Sequence, residues 1–258
     1  MAKTAGRKRQ KTGPSRKTTA SEDEIARFTA MAEAWWDPTG DFRPLHQLNP
    51  VRLEFIRDQV ARHFGLDPLG RAPFEGLNIL DIGCGGGLLT EPMRRLGATV
   101  TGIDAGREAI RIARTHAEQA GLDIEYRHQL PEDIGGEKGR YDVVLNMEVV
   151  EHVADLGVFL SASAGLLRPG GVMVLSTLNR TLKALALAKI GAEYVLRWLP
   201  PGTHDWRKFV RPSELSAGLE GAGVRITELR GLTYNPVFDE WRLGRDLDVN
   251  YLAFAVKD

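Results

Sequence analysis

Apolar and polar residues follow one another in blocks that predict short strands separated by amphipathic helices. The apolar blocks predict strands over 77–83, 99–103, 124–128, 141–146, 171–177, 224–232 and 250–257. The blocks with helical spacing predict helices over 88–96, 106–120, 154–167 and 212–221. Because strands and helices alternate, the sequence predicts an α/β fold with a mostly parallel seven-stranded sheet and helices on both faces.

Two further helices are predicted ahead of the first strand. Ser21 and Glu24 have capping-box spacing, and apolar residues then recur at helical spacing as far as the tryptophan pair Trp35 and Trp36. A second helix is predicted over 51–64, with Asn49 as its N-cap and Pro50 in its first turn. The sequence therefore predicts one folded domain over 21–258.

Residues 180–210 interrupt the alternation. They are rich in leucine, and Lys189, Glu193 and Arg197 recur every four residues as one polar stripe. Such an amphipathic insertion is too charged to cross a bilayer. Two interpretations remain open: a lid over the active site, or an interfacial helix that lies on a membrane and admits a lipid-like substrate.

Charge is unevenly distributed along the chain. The whole sequence has 34 basic and 34 acidic residues, but residues 1–20 contain seven Lys or Arg and no acid. This basic tail is predicted to be disordered, and the alternative is attraction to anionic lipid. No aromatic residue interrupts it, which argues against nucleic acid as a partner. One cysteine, Cys84, and no signal-peptide or membrane-spanning run indicate a cytoplasmic protein.

The segment over 78–88 carries the strongest chemical signal. A short apolar strand runs into four glycines, spaced G-x-G-G-G, and Leu88 stands where a dinucleotide-binding loop has its third glycine. A second strand ends at Asp104, whose carboxylate can accept hydrogen bonds from both hydroxyls of a ribose. Glycine turn and carboxylate together predict a nucleoside-type cofactor that is not a dinucleotide.

Motifs outside the glycine loop extend this signal along the chain. They are WWD at 35–37, PLH at 44–46, NPVR at 49–52, MEVVEH at 147–152, STLNR at 176–180, GAEY at 191–194, GTHD at 202–205, YNP at 234–236 and DVNY at 248–251. In this order they resemble the ubiquinone-biosynthesis O-methyltransferases over about residues 21–258. The resemblance implies a Rossmann-like class I fold that uses S-adenosylmethionine.

The resemblance also implies which residues hold that cofactor. Arg52 would pair with the carboxylate of its methionine part, and Gly83 would let the backbone approach it. Asp104 would bind the ribose, and Met147 would make a soft apolar contact. The resemblance further implies that the methyl group is transferred to a 2-polyprenyl-6-hydroxyphenol and to 3-demethylubiquinol. Both are ortho-dihydroxy aromatics with an isoprenoid tail.

Methyl transfer to a phenol also needs a group that removes the phenolic proton. His152 is the candidate base, because histidine titrates near neutral pH. Relatives regarded as metal-dependent suggest a second role, in which Glu148, Glu151 and His152 bind Mg²⁺ and lower the pKa of the catechol oxygens. The alternative is a polar turn whose acids cap the following helix.

Other functions remain open from the sequence alone. They are a nicotinamide-dependent dehydrogenase, a C-methyltransferase of the same pathway, and a non-catalytic membrane scaffold. The expected partners are a polyprenyl catechol, anionic membrane lipid and other ubiquinone-biosynthesis enzymes. The expected location is the cytoplasm, with peripheral contact on the inner face of the membrane.

Overall fold

The computed structural model describes residues 19, 25–26, 35–40, 42–187 and 205–258. The centre of this part of the chain is one eight-stranded sheet, with the spatial order β3-β2-β1-β4-β5-β8-β6-β7. The strands, in chain order, are β1 (Asn78–Ile82), β2 (Thr99–Asp104), β3 (Glu125–His128), β4 (Tyr141–Met147), β5 (Leu167–Leu178), β6 (Val224–Asn235), β7 (Glu240–Gly244) and β8 (Asn250–Lys257).

The first five strands form the parallel part of the sheet. Ile82 of β1 pairs with Ile103 of β2 on one side and with Asn146 of β4 on the other. The strand order therefore reverses at β1, and ligands of such sheets bind at the carboxyl edge beside this switch point. Strand β8 runs antiparallel to both β5 and β6, so β5 and β6 end at this same edge.

Helices pack on both faces, as predicted. They are α1 (Arg43–Phe64), α2 (Thr90–Arg95), α3 (Arg107–Gln119), α4 (Leu156–Leu166) and α5 (Pro212–Glu220). The core on one face joins α1 and α2 to the sheet through residues such as Ile56 and Met93. The core on the other face joins α4 and α5 through Phe159 and Leu215. Ile110 of α3 packs with Tyr126 of β3.

The prediction of seven strands was wrong by one. Strand β6 continues to Asn235, and β7 returns antiparallel beside it as a hairpin. The Asn235 side chain accepts hydrogen bonds from the backbone N–H of Val237 (3.0 Å), and Asp239 takes a left-handed conformation with φ 52°. Strand β7 is absent from the predicted strands, because it has only five residues and no fully buried side chain.

The start of α1 was also predicted wrongly. The helix begins at Arg43, with Pro44 in its first turn, and Pro50 lies inside it. Asn49 does not cap a helix, because its Nδ2 donates to the carbonyl of Leu88 (2.8 Å). Pro50 removes one backbone hydrogen bond. The helix continues through it because Leu48 and residues farther along are buried against the sheet.

Several predicted regions lie largely outside the described residues. Of the helix predicted from Ser21, residues 25 and 26 are helical, and 21–24 and 27–34 are not described. Of the tail over 1–20, only Thr19 is described, and its N–H and hydroxyl donate to Glu132 Oε1. Of the insertion, 188–204 are not described. No helix within the described ranges is both long and apolar enough to cross a membrane.

Candidate active site

The glycine loop after β1 is held by its backbone at the switch point. The N–H groups of Gly83 and Cys84 both donate to the carbonyl of Ile103 on β2 (2.8 and 3.0 Å). Gly83 has φ 72°, and a Cβ added to it would overlap Val149. Gly85 also has a positive φ, of 54°. The loop thus needs glycine both for its backbone conformation and for the close packing of neighbouring side chains.

Asp104 closes the loop from the side of β2. Its Oδ2 accepts the N–H of Gly85 (3.0 Å), and its Oδ1 accepts the N–H of Gly106 (2.6 Å). Burial raises the pKa of this carboxyl, and the two backbone donors lower it. Each carboxylate oxygen keeps a second lone pair, so Asp104 can still accept hydroxyl groups, as a ribose would offer them.

Asp81 is a site residue that the sequence analysis missed. It lies on β1 with 2% of its surface exposed, and its Oδ2 accepts the hydroxyl of Thr90 (2.7 Å) at the start of α2. Burial raises the pKa of Asp81 to about 7, and the charge of Asp104 adds to that shift. The Asp81–Thr90 bond fixes both ends of the glycine loop. The sequence does contain a signal for this residue, because Asp81 is an acidic residue within an otherwise apolar strand.

Arg52 of α1 reaches the carboxyl end of β4 and is 4% exposed. Its Nη2 lies 2.8 Å from Glu148 Oε1, and the hydroxyl of Ser176 donates to the same oxygen (2.7 Å). Glu148 has φ 57°, which a non-glycine residue rarely adopts. The Nε of Arg52 is buried and has no hydrogen-bond partner in the described part of the chain. Arg52 therefore retains a donor for a ligand carboxylate.

Met147 is the last residue of β4 and pairs in register with Ser176 of β5. Its side chain is 7% exposed and belongs to the apolar core between α1 and the sheet. The structure therefore places Met147 at the correct edge of the sheet, while its visible contacts are those of a core residue. The contact with the cofactor stays a prediction.

Glu151 and His152 lie in the turn that follows β4. Glu151 is 3% exposed, and its Oε2 accepts the hydroxyl of Thr177 (2.8 Å). Its Oε1 is buried without a hydrogen-bond partner among the described residues. Burial, and then the charge of Glu148, raise the pKa of Glu151 to about 8, and the charge of His152 acts in the opposite direction. The three groups are therefore close enough to interact.

Their arrangement does not match the predicted metal site. Within the described ranges, no group of three or more His, Cys, Asp or Glu side chains could hold a metal ion. Glu148 is directed to Arg52 and Ser176, and Glu151 is directed to Thr177. As arranged, Glu148, Glu151 and His152 do not form a metal site.

The chain matches the family model of a methyltransferase domain over residues 46–229. It is 56% identical over 242 residues to the ubiquinone biosynthesis O-methyltransferase of Chelativorans sp., with 94% of this chain and 96% of the relative covered. It is 57% identical to that of Paramagnetospirillum magneticum, with 93% and 96% covered. It is 58% identical to that of Caulobacter vibrioides, with 91% and 94% covered.

Solved structures agree at the level of the fold. Magnesium protoporphyrin IX methyltransferase from Synechocystis PCC 6803 with bound SAH has a TM-score of 0.61 at 21% identity, with 92% of this chain and 94% of that chain covered. A methyltransferase from Thermotoga maritima has a TM-score of 0.60 at 14% identity, with 92% and 99% covered. The predicted class I fold is thereby confirmed, and the methyltransferase family model that matches residues 46–229 supports S-adenosylmethionine as the cofactor. With the relatives matched over nearly their whole length, the chain belongs to the ubiquinone biosynthesis O-methyltransferases.

Proposed function

We propose that this enzyme methylates a hydroxyl of 2-polyprenyl-6-hydroxyphenol and, at a later step, of 3-demethylubiquinol. One observation carries the proposal. The turn that bears His152 packs directly on the glycine loop. Val149 of this turn fills the space where a Cβ of Gly83 would lie. The candidate proton acceptor, His152, therefore lies beside the proposed site of the methyl donor at the carboxyl edge of the sheet.

The donor supplies an electrophilic methyl group on a sulfonium. The phenolic oxygen forms a bond to that methyl carbon as the carbon–sulfur bond breaks, and the sulfur keeps the electron pair. His152 accepts the phenolic proton on a ring nitrogen, which a phenol with a pKa of about 10 requires near neutral pH. Gly83, Asp104 and Arg52 hold the donor, so that much of the acceleration comes from alignment.

The test uses S-adenosylmethionine with a labelled methyl group and a short-chain polyprenyl catechol. We expect the label on oxygen, which NMR of the product distinguishes from carbon. The variant His152→Asn should lower kcat by roughly 100-fold or more. His63→Asn is the matched control, since His63 bonds the carbonyl of Gly170 near the amino end of β5. A labelled carbon would indicate a C-methyltransferase instead, and an unlabelled product mixture would reject the proposal.

A role for Mg²⁺ stays a prediction with its own test. Binding by Glu148, Glu151 and His152 would require Glu148 to leave Arg52. Calorimetry with Mg²⁺ should then detect binding to the wild type and not to Glu148→Gln. Full methyl transfer after chelation, together with no heat of Mg²⁺ binding, would remove the metal from the mechanism.

We also propose that the enzyme contacts anionic lipid at the carboxyl edge of the sheet. Leu182 and Leu187, which follow β5, are 76% and 55% exposed. Val237 and Phe238, which follow β6, are 82% and 67% exposed. The basic residues over 1–20 would add electrostatic attraction. A substrate with an isoprenoid tail would reach the site from that side.

Flotation with phosphatidylglycerol-containing vesicles tests this contact. The full chain should float, and the double variant Val237→Ser with Phe238→Ser should float several-fold less. The control is Leu69→Ser, because Leu69 is 81% exposed but precedes β1 at the opposite edge. Equal loss in both variants, or no flotation of the wild type, would reject a contact at this edge.

A further inference from the structure

Trp35 lies on the glycine loop, although it has no part in the proton transfer assigned to His152. A Cβ added to Gly85 or Gly86 would overlap the indole ring of Trp35, so ring and loop backbone are in direct contact. The Trp35 ring also packs on Phe42, with ring centroids 4.1 Å apart. The backbone carbonyl of Trp35 lies 3.0 Å from His46 Nε2. Trp35 is thus fixed against the loop by Phe42, which precedes α1, and by His46 in the first turn of α1.

Trp36 is anchored to the same loop by different contacts. Its Nε1 donates to the carbonyl of Gly86 (2.9 Å). Its ring stacks on His116 of α3, with centroids 3.5 Å apart and an interplanar angle of 5°. His116 Nδ1 lies 2.6 Å from Oε1 of Glu91, which is 2% exposed. A chain of contacts therefore joins the tryptophan pair to α2 and α3.

The indole N–H of Trp35 has no hydrogen-bond partner in the part of the chain that the structure describes. Trp35 is 9% exposed, and its Nε1 is buried without a hydrogen-bond partner within the described residues. Buried tryptophan N–H groups normally have a partner. Nε1 is bonded to Cδ1 and Cε2, which are among the ring atoms nearest to Gly86 and Gly85. The unpaired N–H of Trp35 therefore lies along the surface of the glycine loop.

We propose that Trp35 forms a wall of the S-adenosylmethionine site and that Trp36 holds this wall in place. Trp35 contacts the cofactor with its ring and offers its indole N–H to it. Trp36 is a positioning residue, which acts through its hydrogen bond to Gly86 and through its stack on His116, the ring that is bonded to Glu91. The inference rests on the methyl donor of the proposed function, but it does not depend on the acceptor.

Calorimetric titration with S-adenosylhomocysteine tests the anchor. Trp36→Leu removes one hydrogen bond and one ring stack, so its Kd should rise about tenfold, with faster dissociation in stopped flow. Trp36→Phe keeps a ring for stacking and should recover part of the affinity. Trp206→Leu is the matched control, because Trp206 Nε1 makes a similar bond to the carbonyl of Thr181 (2.8 Å). Its Kd should stay within about twofold of the wild type.

Trp35→Ala tests the wall itself. We expect weaker binding of S-adenosylhomocysteine, again by about tenfold. Tighter binding would show that the ring competes with the cofactor and would overturn the inference. His116→Asn keeps both tryptophans and should also weaken binding, and thermal unfolding of the same variant measures how much stability is lost when Glu91 loses this partner. If the wild type failed to bind, the proposed function would fall. If wild type and Trp36→Leu bound equally, only this inference would fall.

Discussion

The two halves of the carboxyl edge hold their functional groups by different physical means. At β1 and β2, the backbone conformation of Gly83 and Gly85 shapes the loop, and Asp104 is fixed by backbone N–H groups. At β4 and β5, opposite charges hold one another, with the buried Arg52 from α1 against the partly buried Glu148.

The difference determines how each half can fail. A substitution at the β1–β2 half forces a backbone angle or an overlap, so the damage arises within a few residues of the change. A substitution at the β4–β5 half leaves a distant partner buried with an unpaired charge. The first half therefore depends on local conformation, and the second depends on electrostatics across the fold.

The largest effect is expected for Gly83→Ala. The variant combines a φ of 72° with an overlap on Val149, and should lose about 3 kcal/mol of unfolding free energy or more, together with cofactor binding. Thermal unfolding and titration with S-adenosylhomocysteine measure both. Gly135→Ala is the control, since a Cβ there meets nothing within 4 Å. Equal behaviour of the two variants would contradict a conformational role for Gly83.

Arg52→Met should be nearly as severe, for an electrostatic reason. It leaves Glu148, whose side chain is 19% exposed, beside the buried Glu151 without its cation, and about 3 kcal/mol of stability should be lost. Arg43→Met on the same helix is the control. Arg43 pairs with Asp239 at 46% exposure, and its loss should cost less than about 1 kcal/mol. Similar costs in denaturant unfolding would show that burial does not distinguish the two pairs.

An effect of intermediate size is expected at Asp81, and the pH dependence of stability tests it. Because its folded pKa of about 7 lies above the ordinary 3.8, the folded state binds the proton more tightly. Stability is then highest at low pH and should fall by about 2 kcal/mol between about pH 5.5 and about pH 7. Asp81→Asn should remove this part of the fall. Thr90→Val, which loses a donor to the carboxylate, should extend the fall to higher pH.

The smallest effect is expected for Thr177→Val. The variant removes the hydroxyl that donates to Glu151 and keeps the shape of the side chain, so about 1 kcal/mol of stability should be lost. Denaturant unfolding measures the change against Thr227→Val. Thr227 bonds the carbonyl of Phe254 at the longer distance of 3.3 Å. A larger loss at Thr227 would argue that Glu151 does not need its hydroxyl partner.

The amino-acid sequence determined the parts of this protein that depend on neighbouring residues. The predicted strand over 77–83 is β1, and the prediction over 99–103 is β2 within one residue. Apolar runs, glycine spacing and the terminal Asp104 carry that information locally. The family motifs led in the same way to the methyltransferase family, which the comparisons confirm.

Only the tertiary structure decided where distant groups meet. Pro50 stays inside α1 because the sheet buries that helix, and Asn49 bonds Leu88 instead of capping it. Glu148 faces Arg52 rather than converging with Glu151 and His152 as metal ligands. Trp35 comes to rest on Gly85, fifty residues away in sequence. Local propensity sets strands and turns, but burial and charge pairing select among long-range contacts, and these are fixed only when the chain has packed.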